Sequence, residues 1–366
     1  MGNIPSSLEF AVIGHQESWE SIMPLAQAMR LSNTNNELRA EKVKDIYTYI
    51  PPRKIFDIGV RSTLRRDDIR GAYIETFIAP DELDIKYLRK NIEKVKQACE
   101  ICAKLNVPVV SLGGFSSIVL EAGLTSLTQI QNTFFTTGNT LTAAFIARGI
   151  EKACMFWEQP LSKSKLLIIG STGDIGSACA LYFSDKVKQL LLCGRQEAAL
   201  QKQAIEFTAK NISNKASVQL KKLVDDADII ISVASSIINE TDLENIKPNT
   251  IVCDAGYPKN LQSKYINNHK RLFYGGMGIV TGGFEFENNL ESTFYKFPLH
   301  AVGHGCLLEA TVLGLENAYC SFSKGRGNIT IQAMKDILTM AEKHGIKTAP
   351  LFNNTLINAT AADILQ

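Results

Sequence analysis

The stretch Leu166-Leu167-Ile168-Ile169-Gly170-Ser171-Thr172-Gly173-Asp174-Ile175-Gly176-Ser177 decides the fold of this chain. Its four apolar residues have the pattern of a buried strand, three glycines follow, and Ala178 to Phe183 continues with residues typical of a helix. Glycines between a strand and a helix let the backbone approach a pyrophosphate, whose charge is favoured at the helix N-terminus. The stretch therefore predicts a dinucleotide-binding Rossmann unit, with a purely structural turn as the alternative.

Later segments extend this unit and indicate which dinucleotide it binds. The strand Leu190 to Cys193 ends at Gly194-Arg195, where NAD sites usually carry an acidic residue that holds the ribose 2′-hydroxyl. A cation there favours the 2′-phosphate of NADPH, unless Arg195 points into solvent. Apolar strands are also predicted over 229–234 and 250–254. The predicted cofactor contacts are Gly170, Ser171, Thr172, Gly173, Asp174, Ile175, Gly176, Arg195, Ala234, Gly256, Tyr257 and Pro258.

The first half of the chain has the pattern of a second α/β unit. Short apolar strands are predicted over 10–15, 72–78 and 107–112, and a helix over 141–156. The glycine-rich loop 113–117 follows the strand over 107–112, and the polar loop 136–140 precedes the helix. Such loops commonly line binding sites. A tight turn for the first and a helix cap for the second are the alternatives. The predicted substrate contacts are Gly113, Gly114, Phe115, Thr137 and Asn139.

A chain of 366 residues is longer than one hydrophobic core usually supports, so we expect several domains. The predicted class is α/β. Residues 1–160 form an N-terminal α/β substrate domain, 161–285 a Rossmann domain with a doubly wound parallel sheet, and 286–366 a helical C-terminal segment. The clearest helices of that segment are predicted over 307–319 and 331–344.

Composition excludes several classes of protein. With 45% hydrophobic and 21% charged residues and a formal charge of +2, the chain has neither the composition of a disordered protein nor a global field for nucleic acid. It lacks a basic leader and a long apolar run, so we expect a cytoplasmic protein without a membrane span. Scattered cysteines predict neither a disulfide framework nor a metal site. The basic run Arg53, Lys54, Arg61, Arg65 and Arg66 is either a solvated face or a landing site for an acidic partner.

Cys306 is the candidate catalytic residue. It follows Gly303-His304-Gly305 and begins an apolar helix, so backbone N–H groups and the helix dipole are expected to lower the pKa of its thiol. A packed, inert cysteine is the alternative. A nucleophilic thiol beside a hydride donor suggests attack on a thioester, reduction of the acyl-cysteine by NADPH, and release of an aldehyde. His300, His304 and Glu309 lie nearby but receive no firm role, and His304 is expected to be solvated or packed.

The chain resembles the long-chain acyl-(acyl carrier protein) reductases best known from cyanobacteria. The resemblance covers nearly the whole chain, because several loops recur in one order. They are Ile13-Gly14-His15, Tyr73-Ile74-Glu75, Leu112-Gly113-Gly114-Phe115, 136–140, Gly173-Asp174-Ile175-Gly176-Ser177, 256–260, and Gly325-Arg326 with Ile329-Thr330.

This resemblance implies an NADPH-dependent reduction of a long-chain fatty acyl thioester to a fatty aldehyde. The implied carrier is acyl carrier protein, with coenzyme A as a poorer one, and an aldehyde-consuming enzyme of alkane biosynthesis is an implied partner. The family's catalytic cysteine lies three residues before a glutamate, and Cys306 and Glu309 keep that spacing. A need for Mg²⁺ stays open.

Three other functions are compatible with a dinucleotide-binding unit. The alternative reading is a shikimate-dehydrogenase-like NADP oxidoreductase that acts on a small hydroxy acid without covalent catalysis, but the Asn-Val-Thr type of loop expected for it does not occur here. Glutamyl-tRNA reductases use thioester chemistry with an N-terminal cysteine, whereas the first cysteine of this chain is Cys99. A non-enzymatic NADP-binding sensor would bind the cofactor and turn over no thioester.

Overall fold

A computed structural model of the protein describes residues 7–29, 39–65, 67–83, 85–117, 119, 127–234, 238–257, 259–261, 269–287 and 297–358. Arg66 of the basic run and Pro258 of the predicted cofactor contacts lie outside these residues.

The strands, in chain order, are β1 (Phe10–Gly14), β2 (Arg53–Val60), β3 (Ile69–Glu75), β4 (Val109–Leu112), β5 (Gln129–Ile130), β6 (Thr133–Thr136), β7 (Lys165–Ile169), β8 (Gln189–Cys193), β9 (Asn214–Ser217), β10 (Ile229–Ser232), β11 (Ile251–Asp254), β12 (Leu272–Tyr274), β13 (Met277–Val280), β14 (Phe284–Phe286), β15 (Val302–His304), β16 (Ile346–Thr348), β17 (Leu351–Phe352) and β18 (Leu356–Asn358). The helices are α1 (Trp19–Ala28), α2 (Ala40–Tyr47), α3 (Leu88–Lys104), α4 (Asn139–Phe156), α5 (Asp174–Phe183), α6 (Glu197–Ala209), α7 (Lys221–Val224), α8 (Gly305–Leu315) and α9 (Ile331–Lys343).

The first sheet belongs mainly to the N-terminal half and has the order β14-β2-β3-β1-β4-β6-β5. Its central strands β3, β1, β4 and β6 are parallel, whereas β2, β5 and β14 pair antiparallel to their neighbours. Successive side chains of a strand point to opposite faces. Val110 and Leu112 accordingly pack with α3, while Val109 packs on the opposite face.

The second sheet is the predicted Rossmann unit. Its order is β9-β8-β7-β10-β11-β12, and every neighbouring pair is parallel. Relative to chain order this is 3-2-1-4-5-6, the arrangement of doubly wound dinucleotide-binding sheets, in which ligands bind beyond the carboxyl ends of the strands. The predicted α/β fold class is therefore confirmed. Edge strands β9 and β12 were not predicted, since one is polar and the other only three residues long.

The C-terminal part contains α8 and α9, close to the two helices expected there, together with short strands. Strand β14 pairs with β2 of the first sheet, and β15, β13 and β16 form a three-stranded antiparallel sheet. Helix α8 packs against β1, β4 and α4. The chain thus returns to the N-terminal sheet after the Rossmann unit, and the division at residues 160 and 285 stays a prediction.

Helix α4 joins the two sheets. Most of its circumference is buried, including Leu141, Phe145, Ile146 and Ile150, and it packs on α5 of the Rossmann unit as well as on α8 and α9. One continuous cluster of buried residues therefore runs from the first sheet through α4 to the second. Each large apolar side chain buried in this way contributes about 1.5–3 kcal/mol. The site at the junction of the sheets is held by a common core.

The basic run lies on and after β2, and acidic or aromatic groups face its described members. The Lys54 Nζ lies 2.7 Å from an Asp57 oxygen, Arg61 pairs with Asp68 at 3.3 Å, and Arg65 pairs with Glu9 at 3.4 Å. The Arg53 guanidinium lies 5.6 Å from the ring centroid of Phe77. These neighbours offset most of the positive charge, which weakens the hypothesis of a landing site for an acidic partner.

Gly138 permits the close approach of α8 to the loop before α4. Its φ is +73°, and a Cβ on it would lie 2.3 Å from the Cα of Cys306 and 2.5 Å from the Cβ. Both atoms belong to a residue fixed in a helix, so they have little room to move. Any side chain at position 138 would push Cys306 away from the first sheet.

We expect Gly138→Ala to lower the free energy of unfolding by about 2–4 kcal/mol, because backbone strain and overlap with Cys306 add. Gly283→Ala is the matched control, since Gly283 has φ +90° and nothing within 4 Å of its Cβ position. Strain alone should cost this control about 1–2 kcal/mol in denaturant unfolding. Equal losses in the two variants would contradict the overlap with Cys306.

Candidate active site

The carboxyl ends of the parallel strands from both sheets meet at the candidate site. From the first sheet come His15 after β1, Gly113 after β4 and Thr137 after β6. From the Rossmann sheet come the glycine-rich loop after β7 and the segment after β11. The phenol of Tyr257 donates a hydrogen bond to the His15 carbonyl oxygen at 3.0 Å, which joins the two edges directly.

The glycine-rich loop has the shape that a dinucleotide needs. Gly170 has φ +90°, and a Cβ on it would lie 2.8 Å from the Val233 carbonyl oxygen after the neighbouring strand. A Cβ on Gly176 would lie 2.1 Å from the Gly170 carbonyl oxygen, so α5 starts directly against the turn. The start of α5 thus lies directly beyond β7, the place where a helix N-terminus receives a pyrophosphate in dinucleotide-binding sheets. The residues present fit a dinucleotide cofactor.

The other predicted cofactor contacts surround this loop. The Ser171 hydroxyl donates a hydrogen bond to Gln203 Oε1 at 2.9 Å, which ties the turn to α6. The Thr172 side chain lies against Gly194. Gly173 is the N-cap of α5, and Ile175 packs on the core. Arg195 is exposed and follows Gly194, the first residue after β8.

Two side chains that are not among the predicted cofactor contacts, one of them in the loop 255–260 that the sequence predicts as a wall of the nicotinamide pocket, line the far side of the cofactor groove. Asn260 accepts hydrogen bonds from the Ser232 hydroxyl at 2.6 Å and the Ala234 N–H at 3.0 Å. The Asp254 carboxylate accepts the N–H of Gly256 at 3.1 Å and that of Asn260 at 3.2 Å. Asp254 is the last residue of β11, a strand that the sequence predicts, and Asn260 lies in the loop that follows it. A polar residue at the carboxyl end of a predicted parallel strand was the signal that could have identified both.

Asp174 connects the cofactor loop to the predicted substrate loop. Its carboxylate accepts from Asn139 Nδ2 at 2.9 Å and from the N–H of Gly327 at 3.1 Å. Thr137 is also committed to structure, because its hydroxyl accepts the Asn139 N–H at 3.3 Å and its own N–H donates to the Ser323 carbonyl oxygen. Thr137 and Asn139 thus lie at the junction but use these groups to hold it together. Their substrate contacts stay predictions.

Cys306 lies between the two predicted substrate loops. It is the second residue of α8, and its Sγ is 3.6 Å from the position of a Cβ on Gly113. Its backbone touches Gly138, which precedes the Asn139 that binds Asp174. Cys306 is partly buried, whereas the described cysteines other than Cys306 and Cys320 are buried. The structure therefore brings the predicted nucleophile, both loops and the start of α5 together.

The expected lowering of the Cys306 pKa is wrong for the protein without substrate. Burial raises the pKa of the thiol to about 11, because a thiolate loses its hydration there. The backbone N–H of Leu307 in the first turn of α8 lowers the pKa, as helix geometry predicts, and so does the N–H of Gly114 after β4, while the charge of Glu309 raises it. The helix terminus acts in the expected direction, but desolvation is the larger effect.

Glu309, one turn after Cys306, binds the N-terminus of α4. It is fully buried and accepts from the Thr136 hydroxyl at 2.5 Å, the Ser323 hydroxyl at 2.8 Å and the Leu141 N–H at 3.0 Å. Burial raises the pKa of its carboxyl, and these donors oppose the rise. Because Glu309 and Cys306 lie one turn apart on the same helix, the bonds of Glu309 to the start of α4 also fix the position of the thiol.

Histidines near the thiol have different environments. His304, the N-cap of α8, packs edge-on against Tyr257 and Phe297, with ring centroids 5.5 Å and 5.8 Å away, which confirms the packing alternative. Burial lowers its pKa to about 3. His300 is exposed. His15, which received no role from the residues alone, is buried beside Gly114 and Phe115.

Within the ranges given above, no helix is both long and apolar enough to cross a membrane. Over the same residues, His, Cys, Asp and Glu side chains form no group of three that could hold a metal ion.

The comparison with known proteins separates the two halves of the chain. The family described as shikimate / quinate 5-dehydrogenase matches residues 153–274, which is the Rossmann unit alone. Among solved structures, L-tryptophan dehydrogenase from Nostoc punctiforme is 13% identical and aligns with 93% of this chain and 81% of its own, with a TM-score of 0.41. Quinate dehydrogenase from Corynebacterium glutamicum in complex with NAD is 13% identical, with coverage of 73% and 87% and a TM-score of 0.36.

A relative by sequence extends over both halves. The long-chain acyl-[acyl-carrier-protein] reductase of Synechococcus elongatus is 30% identical over 351 residues, which cover 93% of this chain and 99% of that protein. At this coverage the aligned region includes most of the first sheet, the glycine-rich loop and the helix with Cys306. Because the similarity spans the N-terminal sheet and the C-terminal helices as well as the Rossmann unit, this chain is an oxidoreductase that belongs to the long-chain acyl-[acyl-carrier-protein] reductase family.

Proposed function

We propose that this protein reduces a long-chain fatty acyl thioester to a fatty aldehyde with NADPH, through an acyl intermediate on Cys306. The proposed substrate is an acyl group on acyl carrier protein, with acyl-coenzyme A as a poorer one. The family relationship supports the substrate class. The observation that carries the proposal is the position of the Cys306 sulfur, 3.6 Å from the Cβ position of Gly113 and beside the loop that binds Asp174.

The first chemical step is the transfer of the acyl group to the protein. The sulfur of Cys306 attacks the thioester carbonyl carbon, the bond from that carbon to the carrier sulfur breaks, and the thiol proton ends on the departing carrier thiol. Negative charge develops on the carbonyl oxygen during the attack. The N–H groups of Gly114 and Leu307, which lower the pKa of the thiol, are the proposed donors that stabilise this charge.

The second step releases the aldehyde. Reduced nicotinamide, when bound beyond the glycine-rich loop, supplies the hydride that the acyl carbon accepts. With one further proton, the bond between that carbon and the Cys306 sulfur breaks, so the aldehyde leaves and the thiol is restored. Burial of Cys306 protects the acyl-cysteine from hydrolysis during this sequence.

Noncovalent reduction of a small hydroxy acid is the second candidate, and the match of residues 153–274 to the shikimate / quinate dehydrogenase family favours it. That match leaves out the first sheet, which faces Cys306, and α8, which contains it. It therefore supports a dinucleotide-binding role for the middle of the chain and does not bear on the substrate.

Trapping the acyl group tests the covalent step. Incubation with a labelled long-chain acyl thioester without NADPH should place one acyl group on Cys306, detected by mass spectrometry of the peptide, and added NADPH should convert it to aldehyde. Cys306→Ala should lose the label and lower aldehyde formation by a factor on the order of 10³ or more. Cys320→Ser, a change at an exposed cysteine, should keep both. Full aldehyde production by Cys306→Ala would rule out the covalent route.

Alkylation without substrate tests the ionisation of the thiol. Because the pKa of Cys306 is raised to about 11, its rate of reaction with iodoacetamide should rise about tenfold per pH unit from pH 7 to 9.5. The thiolate is the reactive form, and its fraction grows until the pH reaches the pKa. A plateau below pH 8 would show that the thiol is more acidic than its burial indicates.

Arg195 is proposed to bind the 2′-phosphate of NADPH. Arg195→Ala should weaken NADPH binding about 10- to 100-fold, which corresponds to the loss of one charge-assisted contact of about 1.5–3 kcal/mol, and should leave NADH binding unchanged. Lys210→Ala, at an exposed cation beyond the end of α6, is the control. Fluorescence titration of both dinucleotides measures the effect. Equal weakening of NADPH and NADH would contradict a 2′-phosphate contact.

A further inference from the structure

His15 is a buried histidine that the proposed chemistry does not use. It follows β1, is only 3% exposed, and its Nε2 accepts the N–H of Phe115 at 2.9 Å. The Nδ1 lies 3.3 Å from the Gln16 carbonyl oxygen. These two partners assign the proton to Nδ1, so the Nε2 lone pair serves the Phe115 N–H. His15 thus fixes the turn that follows β4.

That turn forms one wall of the Cys306 site. Gly113 donates its N–H to the Ile13 carbonyl oxygen at 2.8 Å, and its Cβ position is 3.6 Å from the Cys306 sulfur. The next N–H, from Gly114, lowers the pKa of that thiol. The His15 bond to Phe115 lies one residue further along. A change in the direction of the Phe115 N–H would rotate the peptide groups that face the sulfur.

Tyr257 ties the same turn to the Rossmann half. Its hydroxyl donates to the His15 carbonyl oxygen at 3.0 Å, and its ring meets the His15 ring edge-on with centroids 5.4 Å apart. A Cβ on Gly114 would lie 2.7 Å from the Tyr257 ring. Histidine, turn and tyrosine are therefore packed without spare room.

We propose that His15 is a positioning residue for Cys306: its Nε2 holds the Phe115 N–H and so aims the Gly114 N–H at the sulfur, while Tyr257 fastens this arrangement from the dinucleotide-binding half. The inference rests on the proposed function only in taking Cys306 as the nucleophile. Its test needs no substrate, so it can fail or succeed independently of the acyl chemistry.

The bond requires a neutral imidazole. Burial lowers the pKa of His15 to about 4, so Nε2 remains an acceptor at neutral pH. In a protonated ring Nε2 carries a hydrogen and can no longer accept the Phe115 N–H, so this hydrogen bond would be lost. The low polarity of the surroundings thus keeps the histidine in the form that the turn needs.

The experiment measures alkylation of Cys306 by iodoacetamide as a function of pH, in a Cys320→Ser background that removes the exposed thiol. His15→Phe keeps a ring but loses the acceptor, and we expect it to slow alkylation about tenfold at pH 8, as one unit of thiol pKa would. His15→Gln places an amide oxygen near the Nε2 position and should restore the rate to within about threefold of the parent. Tyr257→Phe should slow it by a smaller factor.

Two controls separate positioning from stability. Thermal unfolding reports whether each variant folds, and binding of NADPH by the His15 variants should stay within about twofold of the parent. If His15→Phe does not fold, His15→Asn replaces it, because its shorter side chain withdraws the acceptor and should slow alkylation likewise. A parent-like rate in the folded Phe or Asn variant, or equal slowing in the Gln variant, would overturn the role of His15. A parent-like rate in Tyr257→Phe would overturn the role of Tyr257.

Discussion

The buried carboxylate of Glu309 is the interaction on which the arrangement of the site depends. A carboxylate with no exposure to water is tolerated only when donors surround it, and breaking such a set typically costs several kcal/mol. Its donors come from Thr136, Leu141 and Ser323, three separate segments of the chain. Helix α8 is therefore locked to the start of α4, and Cys306, one turn earlier, is held against Gly138.

The second constraint is that two parallel sheets point their carboxyl ends at one another. Parallel strands collect loops at one edge, so a chain with two such sheets can face its loops across a single cleft. Here the facing edges are bridged by the Tyr257 hydroxyl and by the bond from Asn139 to Asp174. The proposed nucleophile, the glycine-rich loop and the proposed substrate loops thereby share one small volume, although they come from distant parts of the sequence.

Enclosure has opposing consequences for the chemistry. It raises the pKa of the Cys306 thiol, which lowers the amount of thiolate, and it limits the access of water to the proposed acyl-cysteine. Backbone N–H groups offset part of the first effect, and their direction depends on the turn after β4. In the proposed thioester exchange, the proton of the resting thiol passes to the departing carrier thiol.

The sequence by itself determined the Rossmann unit and the helix that carries Cys306, because a strand, a glycine turn and a helix are local patterns set by neighbouring residues. The family followed from the resemblance of several loops that recur in one order. Only the tertiary structure decided that β14 returns to the first sheet, that Glu309 caps α4, that Asp174 binds Asn139, and that His15 accepts the N–H of Phe115 in the turn after β4. It also reversed the expected direction of the Cys306 pKa. These features depend on contacts between residues far apart in the chain and on loss of hydration, and neither leaves a local pattern.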